Sequence, residues 1–179
     1  MKANKLCYKK KPKTVSMRTV EDFPNKGVVF KDISPLLANP KEFKNLIQYL
    51  AKVWGGKIDS IGGFDARGFL FASALAYEMD LPFFMLRKKG KLPGVVISKE
   101  YALEYGSATL EVEADAVKLG DRVLLIDDVL ATGGTALAGC SLVNTLGGAV
   151  AGVQVILEVL SLKGREVLRG YNVNSIVTS

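Results

Sequence analysis

The stretch Arg122-Val-Leu-Leu-Ile-Asp-Asp-Val-Leu-Ala-Thr-Gly-Gly-Thr135 constrains this chain more than any other. Val123 to Ile126 is a short apolar run that suits a strand buried on both faces, and the apolar pattern after Thr135 suits a helix. A polar turn is expected between them. This layout puts Asp127 and Asp128 at the carboxyl end of a strand, and Ala131, Thr132, Gly133, Gly134 and Thr135 at the amino end of a helix. Open α/β sheets bind ligands at that edge.

Two adjacent carboxylates are acceptor-only groups and hard oxygen ligands, so they suit a sugar diol or the waters around a magnesium ion. The five residues from Ala131 suit a phosphate. Gly133 and Gly134 let the backbone come close and turn its amides inward, Thr132 and Thr135 add hydroxyl donors, and the helix terminus contributes its positive end. A Walker A loop would need Gly-Lys followed by Ser or Thr, which this stretch lacks, so nucleoside triphosphate hydrolysis loses its main support. A ligand that satisfies the whole run carries a diol flanked by a monophosphate on one side and a magnesium-bound group on the other, as a phosphorylated ribose does. Asp-Asp alone would read as an acidic helix cap; the full run is too specific for that.

Strand and helix signals alternate along the rest of the chain. Residues 21 to 37 carry the Pro, Gly and Asn punctuation of a structured loop or extended segment. Pro40 opens a helix in which Phe43, Leu46, Ile47, Leu50 and Val53 recur at helical spacing, and Gly55-Gly56 ends it. Ile58 to Gly62 reads as a first buried strand, followed by the turn Gly63-Phe-Asp-Ala-Arg-Gly68 and a helix from Phe69 to Met79. Leu81 to Leu86 reads as a second strand running into the basic cluster Arg87-Lys-Lys-Gly-Lys-Leu-Pro-Gly94, and residues 95 to 113 alternate as a long hairpin. Past the central motif, Gly147-Gly148 closes a helix, Ala149 to Leu157 is a strand, Gly164 to Arg169 a short helix and Val173 to Val177 a last strand. Alternation of this kind predicts one α/β domain with a mainly parallel sheet covered by helices on both faces.

Composition narrows the function. A chain of 179 residues, 49% of them hydrophobic, suffices for one domain with a sizeable core. It has no histidine and two widely separated cysteines, which excludes a His-based triad, a zinc site and a disulfide framework. No apolar run reaches a membrane span and the amino terminus lacks a hydrophobic signal core, so a soluble, cytoplasmic protein is expected. The net charge of +6 invites a nucleic-acid reading, but residues 1 to 20 hold seven basic and no acidic groups, and the remainder holds 17 basic against 18 acidic. The division is therefore a basic amino-terminal arm, 1–20, and a nearly neutral domain, 21–179, with no stable nucleic-acid partner expected.

The turn Asp65-Ala66-Arg67-Gly follows a strand as the central motif does, so it should line the same crevice, where an arginine can meet a pyrophosphate in bidentate fashion. Arg87, Lys88, Lys89 and Lys91 around a Gly-Pro-Gly frame suit a cationic flap that would neutralise a leaving pyrophosphate.

The central stretch closely resembles the phosphoribosyl pyrophosphate motif of type I phosphoribosyltransferases. The likeness to that family's adenine-specific branch extends from Phe23 to Leu168, carried by Phe23-Pro with Gly-Val-Val-Phe-Lys-Asp-Ile-Ser-Pro-Leu-Leu37, Asp-Ala-Arg-Gly-Phe69, the basic flap, Leu-Glu-Tyr-Gly106 and the central motif. The resemblance implies a domain with a flexible hairpin flap and a small hood, transfer of a phosphoribosyl group from phosphoribosyl pyrophosphate to adenine, Mg2+ as cofactor and a homodimer. It places Val29, Phe30 and Lys31 in the adenine pocket, Phe30 stacking on the base, with Leu160 on the opposite wall; the family usually has arginine where Lys31 stands. It makes Arg67 the pyrophosphate contact, in a loop expected to hold a non-proline cis peptide, and sets Arg87, Lys88, Lys91 and Tyr105 in the flap region. Glu104 becomes the hood carboxylate near the imidazole side of the base. Asp127 and Asp128 would bind the ribose hydroxyls directly or through metal, and Ala131 to Thr135 the ribose phosphate. Two rivals stay open: specificity for another base, since the sugar-phosphate motif is shared across the family, and a regulator that senses the sugar phosphate.

Overall fold

The computed structural model describes residues 10–102 and 107–179. Along the chain run β1 (Arg18–Val20), β2 (Phe30–Asp32), α1 (Ser34–Leu37), α2 (Pro40–Trp54), β3 (Ser60–Phe64), α3 (Gly68–Met79), β4 (Phe83–Lys88), β5 (Val96–Ala102), β6 (Ser107–Glu113), β7 (Arg122–Leu130), α4 (Gly134–Thr145), β8 (Ala149–Glu158), a 3-10 turn (Leu160–Leu162), α5 (Gly164–Val167) and β9 (Val173–Thr178). Seven strands form one sheet in the order β5-β6-β4-β3-β7-β8-β9. The five from β4 to β9 in that order are parallel, whereas β5 and β6 form an antiparallel hairpin attached to β4 through β6.

The helices divide between the two faces, as the alternating pattern predicts. On one face α2 and α3 bury Leu46, Leu50, Trp54, Phe71 and Leu75 against Ile61, Leu124 and Ile126. On the other, α4 buries Ala138, Leu142 and Val143 with Phe64, Leu125 and Val155. The start and end of α2 follow from its sequence: Pro40 occupies the first turn, where no amide partner is needed, the Asn39 side chain accepts from the Glu42 amide, and Gly55 caps the carboxyl end. Trp54 donates its indole N–H to Gln154 Oε1 at 3.1 Å, so this buried polar side chain of β8 is partnered.

Strand limits differ from the predicted ones in instructive ways. The strands expected from Ile58 and Leu81 begin at Ser60 and Phe83. Pro82 has no amide to donate and offers only its carbonyl, to Ile61, so the ladder starts after it. Ile58 and Leu81 still fill the core, from the loops just before their strands. The central strand is longer than its apolar run, because β8 continues alongside it: Asp127, Val129 and Leu130 pair with Val155, Leu157 and Glu158. Asp127 and Asp128 thus lie inside β7, and the polar turn shrinks to Ala131–Gly133.

The segment read as loop before Pro40 contains β2 and α1, and β2 pairs antiparallel with β1 to form a separate two-stranded ribbon. Arg18 clasps Asp32 across this ribbon at 2.6 Å, and the Ser34 hydroxyl first, then Arg18, lowers the Asp32 carboxyl to about 2. Ahead of the ribbon, Val15 is buried and the Ser16 amide donates to the Glu42 carboxylate. No helix among the described residues is long and apolar enough to cross a membrane.

Candidate active site

Because β3 and β7 are parallel neighbours in register, Gly63 beside Ile126, the loops that leave them emerge at the same edge of the sheet. From β3 comes Asp65-Ala66, joined by a cis peptide bond, then Arg67 at the start of α3. From β7 come Asp127 and Asp128 and, beyond Leu130, the turn into α4. Arg67 Nε lies 2.7 Å from Asp128 Oδ2, which confirms that the two loops share one crevice. On its other side, the Arg67 guanidinium sits over the Phe30 ring, 5.1 Å from the centroid. One arginine therefore bridges the candidate base-stacking residue and the candidate ribose carboxylates.

The two carboxylates differ in surroundings. Asp128 is almost wholly buried, and its Oδ2 has no aligned hydrogen bond despite the nearby Arg67. Asp127 accepts the Asp128 amide at 2.8 Å through Oδ1. Burial, and then the neighbouring Asp128 charge, push the Asp127 carboxyl well above the ordinary carboxylate range; burial also raises Asp128, with Arg67 opposing the shift. Such a pair gains from positive charge or hydroxyl donors supplied by a ligand. Among the described residues no cluster of three or more acidic, cysteine or histidine side chains could cage a cation. The buried, unaligned Asp128 oxygen and the hard carboxylate pair fit a magnesium ion that takes its remaining ligands from substrate and water.

Gly133 enters α4 with φ of 87°, in the left-handed region that favours glycine, and a Cβ there would stand 2.5 Å from the Gly164 carbonyl oxygen. A Cβ on Gly164 would in turn collide with the Ala131 carbonyl. The turn into α4 is therefore seated on the start of α5, and the two glycines allow that contact. Inside the loop lies a cavity of about 70 Å³ lined by Asp127 and residues 131 to 135.

The flap base is tied to the β3 loop. Arg87 Nε donates to Asp65 Oδ2 at 3.2 Å, its Nη1 to the Lys91 carbonyl at 2.9 Å, and the Lys91 ammonium lies 4.0 Å from the same Asp65 oxygen. Glu111, buried on β6, accepts the Gly90 amide at 2.8 Å and so fixes the turn of the basic cluster. Lys88 is exposed at the end of β4. Glu104 and Tyr105 lie outside the described residues.

In the ribbon, Phe30 is half-buried and meets Phe23 edge to face at 5.1 Å, while Val29 is exposed. Lys31 donates to the Thr19 hydroxyl at 2.9 Å, across the ribbon. Leu160, just past the end of β8, is exposed and lines a groove with Lys163 and Arg165. Sequence reasoning gave no role to Gly68, Gly164, Tyr101 or Glu111. Gly68 lies in the Asp-Ala-Arg-Gly turn and Gly164 at the start of a predicted helix, but the close approach that requires each is a tertiary fact.

A mainly parallel sheet whose adjacent loops combine an Asp-Asp pair, a glycine-threonine turn and an arginine above an aromatic ring has the arrangement expected of a phosphoribosyl-transferring site. Residues 32–177 match the phosphoribosyl transferase domain, and the chain belongs to that family. Among its relatives, the adenine phosphoribosyltransferase of Mastomys natalensis is 50% identical over 154 residues, 84% of this chain and 86% of that protein. That of Thermobifida fusca is 47% identical over 163 residues, 90% and 93% of the two chains. The crystal structure of adenine phosphoribosyltransferase from Thermoanaerobacter pseudethanolicus superposes with a TM-score of 0.88 at 46% identity, covering 91% of this chain and 95% of that one. The Trypanosoma brucei enzyme, solved with AMP, pyrophosphate and ribose-5-phosphate, gives 0.84 at 29% identity, covering 90% and 76%. Within the family, the chain falls among the adenine phosphoribosyltransferases.

Proposed function

We propose that this protein transfers the phosphoribosyl group of phosphoribosyl pyrophosphate to adenine, giving AMP and pyrophosphate, as a purine-salvage enzyme. The observation that carries the reading is the position of Arg67, within reach of Asp128 on one side and stacked on Phe30 on the other. Adenine would lie against Phe30, with Val29 and the backbone around Lys31 at its edge and Leu160 at the far wall. Asp127 and Asp128 would hold the ribose hydroxyls, and Ala131, Thr132, Gly133, Gly134 and Thr135 the ribose phosphate.

The bond from the anomeric carbon to the pyrophosphate oxygen breaks as the base nitrogen forms its own bond to that carbon. Arg67, Arg87, Lys88 and Lys91 take up the charge that develops on the departing group. Asp127 and Asp128 fix the ribose while its ring carries positive charge, and positioning of the two reactants supplies most of the acceleration. Glu104 takes the purine proton or eases the ribose charge, with Tyr105 beside it. Mg2+, held by substrate and water near Asp127 and Asp128, would supply neutralisation of pyrophosphate charge.

The protein is proposed to be cytoplasmic and homodimeric, with neither membrane nor stable nucleic-acid partners. The exposed Leu70 and Tyr77, seven residues apart on α3, support a partner-covered face. Steady-state assays with adenine, hypoxanthine, guanine, xanthine and uracil in parallel test the function. Selectivity for adenine is expected; turnover of another base in preference would discard the base pocket and keep the sugar-phosphate site.

A further inference from the structure

We infer that Tyr101 is a positioning residue for the phosphate end of the site, orienting the Thr135 hydroxyl toward the ribose phosphate. Tyr101 stands on β5, opposite Ala108 of β6, three residues before Glu104. Its ring packs against the core cluster that α4 helps to form, and its phenolic oxygen lies 3.2 Å from Thr135 Oγ1, in the first turn of α4. Among the described residues this hydrogen bond ties the hairpin to the phosphate loop.

A threonine hydroxyl has one proton and two lone pairs. At 3.2 Å either of the two oxygens can be the donor. If Thr135 gives its proton to Tyr101, it meets a phosphate oxygen with lone pairs and repels it. If Tyr101 donates instead, its proton occupies a lone pair of Thr135 and the Thr135 proton is left to point at the phosphate. Tyr101 thus completes a donor chain, phenol to threonine to phosphate, in which each hydroxyl both gives and accepts one bond. The ring itself is held by packing, and a groove of about 1000 Å³ lined by Leu137, Tyr171 and Lys99 runs beside it between hairpin and helix. α4 also packs along β5, and this hydrogen bond is where the hairpin reaches the first turn of the helix.

This inference rests on the proposed sugar-phosphate site, and its test separates the two. Binding of phosphoribosyl pyrophosphate to the full chain is measured by calorimetry, beside steady-state kinetics, for wild type, Tyr101→Phe, Thr135→Val, Thr135→Ser and the corresponding double variants. Tyr101→Phe keeps the ring and its packing, so a purely structural role predicts no change. The expected result is an affinity loss of about three- to tenfold, the worth of one oriented hydrogen bond, seen in KM for phosphoribosyl pyrophosphate more than in kcat. Adding Tyr101→Phe to Thr135→Val should cost nothing further, whereas adding it to Thr135→Ser should cost the same three- to tenfold. Unchanged affinity in Tyr101→Phe, or equal added losses in the Val and Ser backgrounds, overturns the inference while leaving the site intact. A wild type that binds no phosphoribosyl pyrophosphate overturns the site assignment, and the inference falls with it.

Discussion

Gly68→Ala should disable the site by adding one methyl group. Gly68 opens α3 directly after Arg67, and its backbone is pressed against β7: a Cβ would stand 2.6 Å from the Ile126 carbonyl oxygen, 3.1 Å from Asp127 Oδ1 and 3.2 Å from Asp127 Cα. The nearest of these atoms is main chain in the middle of the sheet, so it is the helix that must yield. Restoring an ordinary contact of roughly 3.4 Å moves the start of α3 by about 0.8 Å, and Arg67 moves with it. The 2.7 Å approach of Arg67 to Asp128 is then lost. A misplacement of about 1 Å at reacting groups can cost up to ~100-fold, so kcat/KM for AMP formation should fall about 10- to 100-fold. Overpacking adds a stability loss of about 1–3 kcal/mol, read as a drop of roughly 2–4 °C in melting temperature per kcal/mol for a chain of this size. Steady-state kinetics and a thermal melt on the same preparation check both numbers. Wild-type kcat/KM in a normally folded Gly68→Ala protein would refute the idea that helix-to-strand contact sets the arginine.

Glu104→Gln should lower turnover far more than affinity for phosphoribosyl pyrophosphate, and unchanged turnover removes its proposed role. Glu158, buried at the end of β8, accepts two hydrogen bonds from Arg165, which hold its carboxyl below the ordinary glutamate range. Because the folded pKa is lowered, that stabilisation is complete above the ordinary glutamate pKa and is lost as pH falls through the folded value. Glu158→Gln should therefore cost about 1–3 kcal/mol at pH 7 and much less near pH 3, as followed by melting temperature; an equal loss at both pH values contradicts this. Burial pushes the Cys140 thiol up to about 12, so in a Cys7→Ser background the folded protein should resist thiol reagents at pH 8. Rapid labelling there would mean that α4 opens.

Most of the fold was legible because its signals are local. Buried parallel strands announce themselves as short apolar runs, and Pro40 and Gly55 mark α2 within a residue. The candidate phosphate loop could be proposed from sequence for the same reason, since its glycines and threonines are contiguous. What sequence could not show depends on which backbones meet. The ribbon of β1 and β2 joins Arg18–Val20 to Phe30–Asp32, three-residue strands too short for a period-two pattern to register. Gly68 reads as a turn glycine and Gly164 as the first residue of a short helix; that β7 and Ala131 lie against them is set by the tertiary fold. Tyr101 reads as an alternating strand residue, and only the packing of the hairpin on α4 brings it to Thr135.

The ribbon that carries Phe30 and the seven-stranded sheet that carries Asp127 and Asp128 are separate hydrogen-bonded units. In the proposed site, the part that distinguishes one base from another is thus built on a small outlying piece of backbone, while the part that handles sugar and pyrophosphate is rooted in the core. Mutational drift in the ribbon can retune which base is accepted without rewriting the transfer chemistry. A scaffold divided in this way is suited to diversification by exchange of its outlying piece, with Arg67, in contact with both, as the seam where any exchanged piece would have to fit.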